Sequence, residues 1–230
     1  METEFIRINK FLSEAGVCSR RGADRLVEEG RVTIDGKVAV LGDQILPGQK
    51  VLVDGREVQR EDEKILLAFH KPKGIVCTAE KREKNNIIDY LHYPKRIYPV
   101  GRLDKDSEGL ILLTNDGELG NEILRARNFH EKEYLVTVDQ PFNAAFLKKM
   151  REGVELKELG VTTRPCKVEA AGVKTFRIIL TQGLNRQIRR MCAELGYRVV
   201  TLKRVRIMNI HLGKLNTGDF RRATPKELEE

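Results

Sequence analysis

Tryptophan is absent from this chain of 230 residues, and cysteine and histidine occur only four times each. The cysteines are widely spaced and form no Cys-x-x-Cys pair, so they indicate neither a zinc site nor a thioredoxin-like redox motif. No apolar run approaches the roughly 20 residues that a membrane-spanning helix needs, and the first ten residues lack the apolar stretch of a secretory signal. We therefore expect a cytoplasmic protein with reduced thiols and no membrane association.

Signatures of bound cofactors are missing as well. The sequence contains neither a P-loop nor a Gly-x-Gly-x-x-Gly motif. The histidines are so scattered that a metal site built from them would require distant segments to converge. The sequence therefore predicts a protein that works without an organic cofactor and without a metal.

Positive charge is concentrated in one part of the chain. The net formal charge of the chain is +8. Residues 180–222 contain ten basic and two acidic side chains, so this segment alone has a net charge equal to that of the whole chain. Residues 1–60 carry ten side chains of each sign. Phosphate contacts dominate the affinity of proteins for nucleic acids, so a concentrated cluster favours a polyanionic partner over a merely solvated basic face.

The first 60 residues predict a compact unit of two short helices followed by a small sheet. The pattern from Asn9 indicates a helix that ends at Gly16, and Ser19 is a suitable N-cap for a second helix closed by Gly30. Short β-runs separated by Asp-Gly turns follow. Basic side chains around the helices suit RNA phosphates and equally suit an ordinary surface helix. These basic residues are Arg7, Lys10, Arg20, Arg21 and Arg25.

Residues 61–64 are predicted to be a polar linker, and residues 65–230 a second domain. Short β-rich runs alternate there with helical patterns, which indicates a mixed, mainly antiparallel sheet. The predicted fold class is therefore α+β, with a small N-terminal domain (residues 1–60) and a larger second domain. No apolar surface run demands a partner, so we expect a monomer.

Three carboxylates lie at alternate positions before an apolar run: Asp104, Asp106 and Glu108 precede residues 110–113. The spacing matches the first half of an EF-hand loop. Such a loop needs a glutamate at its twelfth position, which is Asn115 here, and the flanking residues read as strand rather than helix. Calcium binding is therefore not expected.

Asp104 is either a turn residue or a carboxylate that performs chemistry. A reactive carboxylate must be ionised and held in place, and when it is partly buried it needs a cationic partner. Arg186, Arg189 and Arg190 share one side of a predicted helix and can supply that partner.

Several sequence blocks resemble known families. IRINKFLSEAGVCSRRGADRLVEEGRVTIDGKVA is similar to the S4 RNA-binding module, and GRLDKDSEGLILLTNDG resembles the GRLD motif of pseudouridine synthases. HKPKGIVCT, HEKEYLVTV and LTQGLNRQIRRMCAELGYRVVTLKRVRIMNI resemble further blocks of those enzymes, in the same order. On these blocks the chain is identified as a member of the RsuA/RluB/RluE/RluF family of ribosomal RNA pseudouridine synthases, and QGLNRQIRRM and RIMN resemble its RluF-like members most.

The resemblance implies an activity and assigns residues to it. Uridine is flipped out of the RNA, its N1–C1′ bond breaks and a C5–C1′ bond forms. Asp104 is the implied catalytic residue, either by attack on C1′ or by removal of a ribose proton. Tyr134 is implied to stack on the base, and Arg189 to pair with the catalytic carboxylate. The remaining implied pocket residues are Arg102, Arg186, Ile179 and Leu180. Ile179 and Leu180 are alternatives for the aliphatic residue that packs under the base. Expected RNA contacts in this domain are Arg190, Lys203, Arg204 and Arg206.

The expected substrate is large-subunit (23S) ribosomal RNA, and two alternatives stay open. One is a non-catalytic S4-type RNA-binding or ribosome-assembly protein; the other is a synthase that acts on 16S ribosomal RNA or a tRNA. A pure binder has no use for Asp104 in an RNA-facing cleft, where its charge repels phosphate. Substrate specificity is expected to depend on the orientation of the S4 domain and on the loops 78–86 and 152–163.

Overall fold

The computed structural model describes residues 5–61, 63–125, 129–224 and 227. The chain forms two compact units. The first comprises Met1–Ile65 with Tyr93–Ile97 and Asn115–Gly117, and the second comprises Leu66–His92, Tyr98–Thr114 and Glu118–Glu230. Among the described residues, no helix has the length and apolar character to cross a membrane.

The first unit contains two helices and two small antiparallel sheets. Strands pair in the order β3-β2-β5-β6, and β1 pairs with β4. Ser19 caps the second helix as predicted, because its Oγ accepts a hydrogen bond from the Gly22 backbone N–H at 3.1 Å. The elements are β1 (Ile6–Arg7), α1 (Ile8–Glu14), α2 (Arg20–Glu28), β2 (Val32–Ile34), β3 (Lys37–Val38), β4 (Gln44–Ile45), β5 (Val51–Val53) and β6 (Arg56–Glu57).

One apolar cluster holds the first unit together. Leu12 from α1, Val27 from α2, Val32 from β2 and Val51 from β5 are all buried within it. Burial of each aliphatic side chain of this size contributes about 1.5–3 kcal/mol. The periodicity of the helices therefore serves to place one apolar stripe of each against the small sheet.

The second unit is built on a nine-stranded sheet. Its main row of strands, from one edge to the other, is β13 (Lys167–Ala170), β14 (Thr175–Leu180), β10 (Lys132–Val138), β15 (Val199–Ile207), β9 (Glu108–Thr114), β7 (Leu66–Lys71) and β17 (Phe220–Arg222). Strand β16 (Ile210–His211) is added to β15, and β8 (Tyr98–Val100) to β9. Strands β9 and β15 run parallel, and the other pairs among the described strands of this sheet are antiparallel. The α+β class with a mixed, mainly antiparallel sheet is thus confirmed.

The remaining strands and helices of the described chain follow β6 in sequence, along with a short 3-10 turn at Lys157–Leu159. The strands are β11 (Glu155–Leu156) and β12 (Val161–Thr162), which pair with each other. The helices are α3 (Ile87–Leu91), α4 (Gly117–Leu124), α5 (Ala144–Glu152) and α6 (Gln187–Glu194).

Strand β9 lies in the middle of this sheet and is buried on both faces. Leu110, Ile111, Leu112 and Leu113 have no exposed surface, which explains why its sequence is a continuous apolar run rather than an alternating one. Gly109 precedes this run at a φ of +111°, and a Cβ at this position would lie 2.3 Å from the Arg204 carbonyl oxygen of β15. The missing side chain lets the two strands meet and fixes the loop that leads into β9.

Candidate active site

A cleft of about 500 Å³ opens in the second unit. Its walls come from the loop between β8 and β9, from β10, from the end of β14 and from the start of α6. The fold therefore brings together residues that lie far apart in the sequence. The predicted catalytic and pocket residues that line the cleft are Arg102, Asp104, Tyr134, Leu180, Arg186 and Arg189. Arg204, which was predicted to contact RNA, also lines the cleft.

Backbone contacts fix the loop that carries Asp104. The Ser107 N–H donates to the Asp104 carbonyl at 3.0 Å and closes a turn. The Cys77 thiol donates to the Leu103 carbonyl at 3.2 Å and its sulfur accepts from the Leu103 N–H at 3.4 Å. The Asp104 side chain itself is one-third exposed and faces the cleft. A rigid loop thus presents a carboxylate that a ligand can reach.

Lys71 supports this loop from beneath, a role that was not predicted. Lys71 has no exposed surface, and its Nζ donates to the carbonyls of Pro72 and Ile75, both at 2.8 Å. Burial lowers the pKa of Lys71. These bonds hold a turn whose Gly74 N–H donates to the Lys105 carbonyl at 2.7 Å. The one sequence signal was a lysine that follows the apolar run Leu66–Phe69 and His70 at the end of β7.

Two arginines contact the carboxylates of the loop. The Arg186 guanidinium donates to both Asp106 carboxylate oxygens at 3.1 and 3.2 Å, and its Nη1 lies 3.6 Å from an Asp104 carboxylate oxygen. The Arg189 Nη2 donates to the Ser107 Oγ at 3.0 Å and to the Asp106 carbonyl at 3.2 Å. The ion pair to Asp104 therefore comes from Arg186, whereas Arg189 was expected to supply it.

The position of each arginine on α6 explains this difference. Arg186 is the N-cap of α6 and has a left-handed backbone, with φ of +50°. Arg189 lies about one helical turn further along, and its guanidinium reaches the end of the loop at Ser107 rather than Asp104. Sequence spacing alone did not reveal the left-handed residue.

Asp106 is a fixed counter-charge for both arginines. Partial burial would raise the pKa of Asp106, but the hydrogen bond from Arg186 and the charge of Arg189 outweigh it and lower that pKa. Asp106 in turn raises the pKa of Arg186. Arg186 is therefore held mainly by Asp106, and its longer contact leaves the Asp104 carboxylate accessible from the cleft.

The register of the sheet distinguishes the two aliphatic candidates. Tyr134 of β10 pairs with Ile178 of β14, and Leu180 lies two residues further along on the same face. Leu180 is buried and lines the cleft. Ile179 pairs with Glu133 and points to the opposite face of the sheet. Leu180, rather than Ile179, shares the cleft with Tyr134.

Arg204 lies inside the protein, although it was expected to contact RNA. It is 4% exposed, and its Nε and Nη1 donate to the carbonyls of Leu110 at 2.6 Å and Arg102 at 3.4 Å. Its Cζ lies 6.0 Å from the centroid of the Tyr134 ring. Its Nη2 has no hydrogen-bond partner among the described residues. Arg204 is therefore a buried cation beside Tyr134 and not a surface contact for phosphate.

Arg206 and Arg190 also have internal partners. Arg206 donates to Glu131 at 2.8 Å, to Glu133 at 2.7 Å and to a main-chain carbonyl. Arg190 forms an ion pair with Glu158. These two side chains are thus occupied within the fold, which differs from the expectation of open phosphate contacts, while Lys203 is half-buried.

The basic residues predicted for the first unit are better exposed. Arg7, Arg20, Arg21 and Arg25 are exposed, and Lys10 lies 3.7 Å from Glu14 on the same helix. Arg20 and Arg21 open α2, where the first backbone N–H groups also favour anions. These four arginines therefore form the accessible basic group of the first unit.

Two protein families match different parts of the chain. The family of RNA pseudouridylate synthases matches residues 65–194, and the S4 domain family matches residues 6–50. The "Dual-specificity RNA pseudouridine synthase RluF" of Salmonella typhi is 53% identical over 96% of this chain and 77% of its own length, and its Escherichia coli (strain K12) counterpart is 52% identical over 97% and 77%.

More distant relatives match over nearly the whole of both chains. The "Ribosomal large subunit pseudouridine synthase B" of Bacillus subtilis (strain 168) is 34% identical over 97% of this chain and 94% of its own. A solved structure of a pseudouridylate synthase superposes with a TM-score of 0.71 at 29% identity, over 97% of this chain and 98% of that one. The chain therefore belongs to the RNA pseudouridylate synthase family, in the branch that carries an S4 domain, and it is an RNA pseudouridine synthase.

Proposed function

We propose that this enzyme isomerises uridine in large-subunit (23S) ribosomal RNA and that Asp104 is its catalytic carboxylate. The observation that carries the proposal is the convergence of Asp104, Tyr134, Leu180 and Arg186 on one cleft. The name of the Bacillus subtilis relative supports an RNA of the large ribosomal subunit, and the words "dual-specificity" in the name of RluF support a second RNA substrate. A non-catalytic binding protein is not favoured, because the relatives that match nearly the full chain are synthases.

The geometry suggests how the residues divide the work. The target nucleotide leaves its stack, which costs a few kcal/mol, and its base enters the cleft between Tyr134 and Leu180. Asp104 then acts on the ribose, the N1–C1′ bond breaks, the uracil turns and a C5–C1′ bond forms. The proton lost from C5 is balanced by the proton gained at N1, so no co-reactant is needed.

Arg186 has a role in this scheme that fits its two contacts. Its guanidinium orients the Asp104 carboxylate, while Asp106 keeps that guanidinium in place. Arg189 fixes the end of the same loop through Ser107. Arg102, which is exposed at the cleft, is proposed to contact the RNA backbone.

RNA binding away from the cleft is proposed for residues 1–60 as an S4 domain, with 61–64 as a linker and 65–230 as the catalytic domain. The exposure of Arg7, Arg20, Arg21 and Arg25 supports this assignment. Neutralisation of phosphates by such residues makes RNA affinity fall with salt. We further propose that the enzyme acts as a monomer in the cytoplasm.

The test is pseudouridine mapping by carbodiimide modification and primer extension in total RNA from a strain that lacks the protein. The strain is complemented with wild type, Asp104→Ala or Glu169→Gln, the last removing an exposed carboxylate of β13 as a matched control. We expect one or more lost 23S stops that wild type and Glu169→Gln restore and Asp104→Ala does not. Restoration by Asp104→Ala would refute the catalytic assignment, and lost stops confined to 16S ribosomal RNA or tRNA would refute the proposed substrate.

A further inference from the structure

An exposed aromatic ring stands next to the cleft in an unusual backbone conformation. Phe129 is 56% exposed and has a φ of +51°. It directly precedes His130, which lines the cleft. A bulky residue in the left-handed region is rare and costs about 1–2 kcal/mol. The fold thus maintains both a strained backbone and an exposed apolar side chain at this point.

Arg164 covers one face of that ring. Its guanidinium Cζ lies 4.9 Å from the centroid of Phe129. Its backbone N–H donates to the Gln182 Oε1 at 3.0 Å, and Gln182 lines the cleft. Gln187, at the start of α6, donates to the same oxygen at 3.4 Å. The arginine and the ring are therefore tied to the rim of the cleft from two directions.

A single exposed apolar side chain is ordinary and needs no explanation. Phe129 differs because three features coincide in it: exposure, a strained backbone and a guanidinium stacked on the ring. Strained residues cluster at ligand-binding sites, where the surrounding structure holds them in place. The ring and the arginine also adjoin, through His130 and Gln182, the cleft that is proposed to receive RNA, which limits the chemistry of their ligand.

We propose that Phe129 and Arg164 form a stacking site for the nucleobase beside the flipped uridine. This inference rests on the proposed function and adds a second base-binding position to the same cleft. Extruding one nucleotide deprives its neighbour of a stacking partner, and unpaired bases stack readily on aromatic rings and guanidinium planes. The positive charge of Arg164 also suits the phosphate of that neighbour. Base stacking tolerates any base, so the site favours an unpaired neighbour rather than a particular sequence.

The experiment uses a hairpin RNA that carries the uridine identified by mapping, with 2-aminopurine in place of the nucleotide on its 5′ or 3′ side. Binding to wild type is expected to quench the fluorescence of the probe on one side. Phe129→Ala should lose that quenching and raise KM about 10-fold, which corresponds to the lower part of the range for one stacked base. The single-turnover rate at saturating RNA should stay unchanged, because the reacting groups are untouched. Phe129→Trp should keep both the quenching and the KM of wild type. Arg164→Gln should reduce the quenching and raise KM.

Val173→Ala is the matched control, because Val173 is 74% exposed and lies in the turn between β13 and β14. With an abasic nucleotide at the position where the probe was quenched, wild type and Phe129→Ala should have the same KM, since no base is left to stack. If Phe129→Ala quenches the probe fluorescence as strongly as Val173→Ala and has the same KM, the stacking site is refuted while the proposed function stands. If mapping assigns the uridine to 16S ribosomal RNA or tRNA, the proposed substrate fails, and the comparison on that hairpin still decides the stacking site.

Discussion

Gly109→Ala tests whether the contact between β9 and β15 builds the site. Gly109 has a φ of +111°, and an added Cβ would lie 2.3 Å from the carbonyl oxygen and 2.6 Å from the nitrogen of Arg204. Both atoms belong to the backbone, so the clash cannot be relieved by rotating a side chain. The parallel pairing of the two strands is short, and it places Gly109 directly beside Arg204. A methyl group must therefore push apart the strands that carry the Asp104 loop and the buried arginine.

The expected magnitude follows from two separate effects. A side chain in the left-handed region costs about 1–2 kcal/mol, and overpacking a tight contact typically costs about 1–3 kcal/mol more. The free energy of unfolding should therefore fall by about 2–5 kcal/mol, a large fraction of the roughly 5–15 kcal/mol that is typical of a domain. Activity should fall further than stability predicts, because the displaced strand also carries Arg204 next to Tyr134.

The assay is urea denaturation followed by circular dichroism, with Gly160→Ala as the matched control. Gly160 also has a positive φ, +63°, but no heavy atom lies within 4 Å of the position that an added methyl group would take. The control should lose only the backbone contribution of about 1–2 kcal/mol. If the two variants have equal unfolding midpoints, the close approach of the strands does not limit stability and the reasoning is refuted.

Three further outcomes are expected. Arg204→Lys should lower the single-turnover rate of RNA modification while RNA affinity in a filter-binding assay stays the same. Arg204 contacts its two carbonyls through two different nitrogens, and the single nitrogen of lysine cannot replace both contacts and also face Tyr134. An equal loss of affinity would contradict this. The lowered pKa of Asp106 means that it stabilises the fold above its unfolded pKa of about 3.9 and that this contribution is lost as pH falls through the lower folded value. The difference in urea midpoint between wild type and Asp106→Asn should therefore shrink below about pH 4, and a constant difference would count against the ion pair with Arg186. Burial raises the pKa of Cys192 to about 12. Iodoacetamide at about pH 8 should therefore label Cys192 only after the protein is unfolded, which mass spectrometry can detect. Rapid labelling of the native protein would disprove the burial of Cys192.

Local signals in the sequence predicted the helices and turns well. Ser19 and Gly30 correctly bracketed α2, and the helix predicted from Asn9 to Gly16 corresponds to α1. Capping residues and apolar periodicity act within a few neighbouring residues, so they can be read without knowing the rest of the fold. The same holds for β9, because a short continuous apolar run is typical of a buried strand.

Features that depend on contacts between distant strands were not predicted. The charged residues beyond position 202 were read as an RNA-binding tract, yet they continue β15 to Ile207. The pairing of β10 with β15 has a register shift between Glu133 and Tyr134, which places Arg204 opposite Tyr134 and Arg206 opposite Glu133. Because Tyr134 and Glu133 are adjacent in β10, these two partners lie on different faces of the sheet. A sequence shows that a residue is charged, but only the pairing register shows whether that charge meets solvent, a carboxylate or a buried ring.

This distinction changes the meaning of the charge excess at residues 180–222. Arg186, Arg189, Arg190 and Arg206 all contact carboxylates of the protein, and Arg204 is buried against main-chain carbonyls. A charge that is already paired gains little from a phosphate, because the existing contact must first be broken. Much of the excess therefore serves the structure of the protein: Arg186 and Arg189 hold the loop that carries Asp104, and Arg204 lies beside Tyr134. On the proposed function, attraction for the RNA backbone depends largely on exposed side chains such as the arginines of α2. Substrate binding should therefore depend on salt more strongly than the chemical step does.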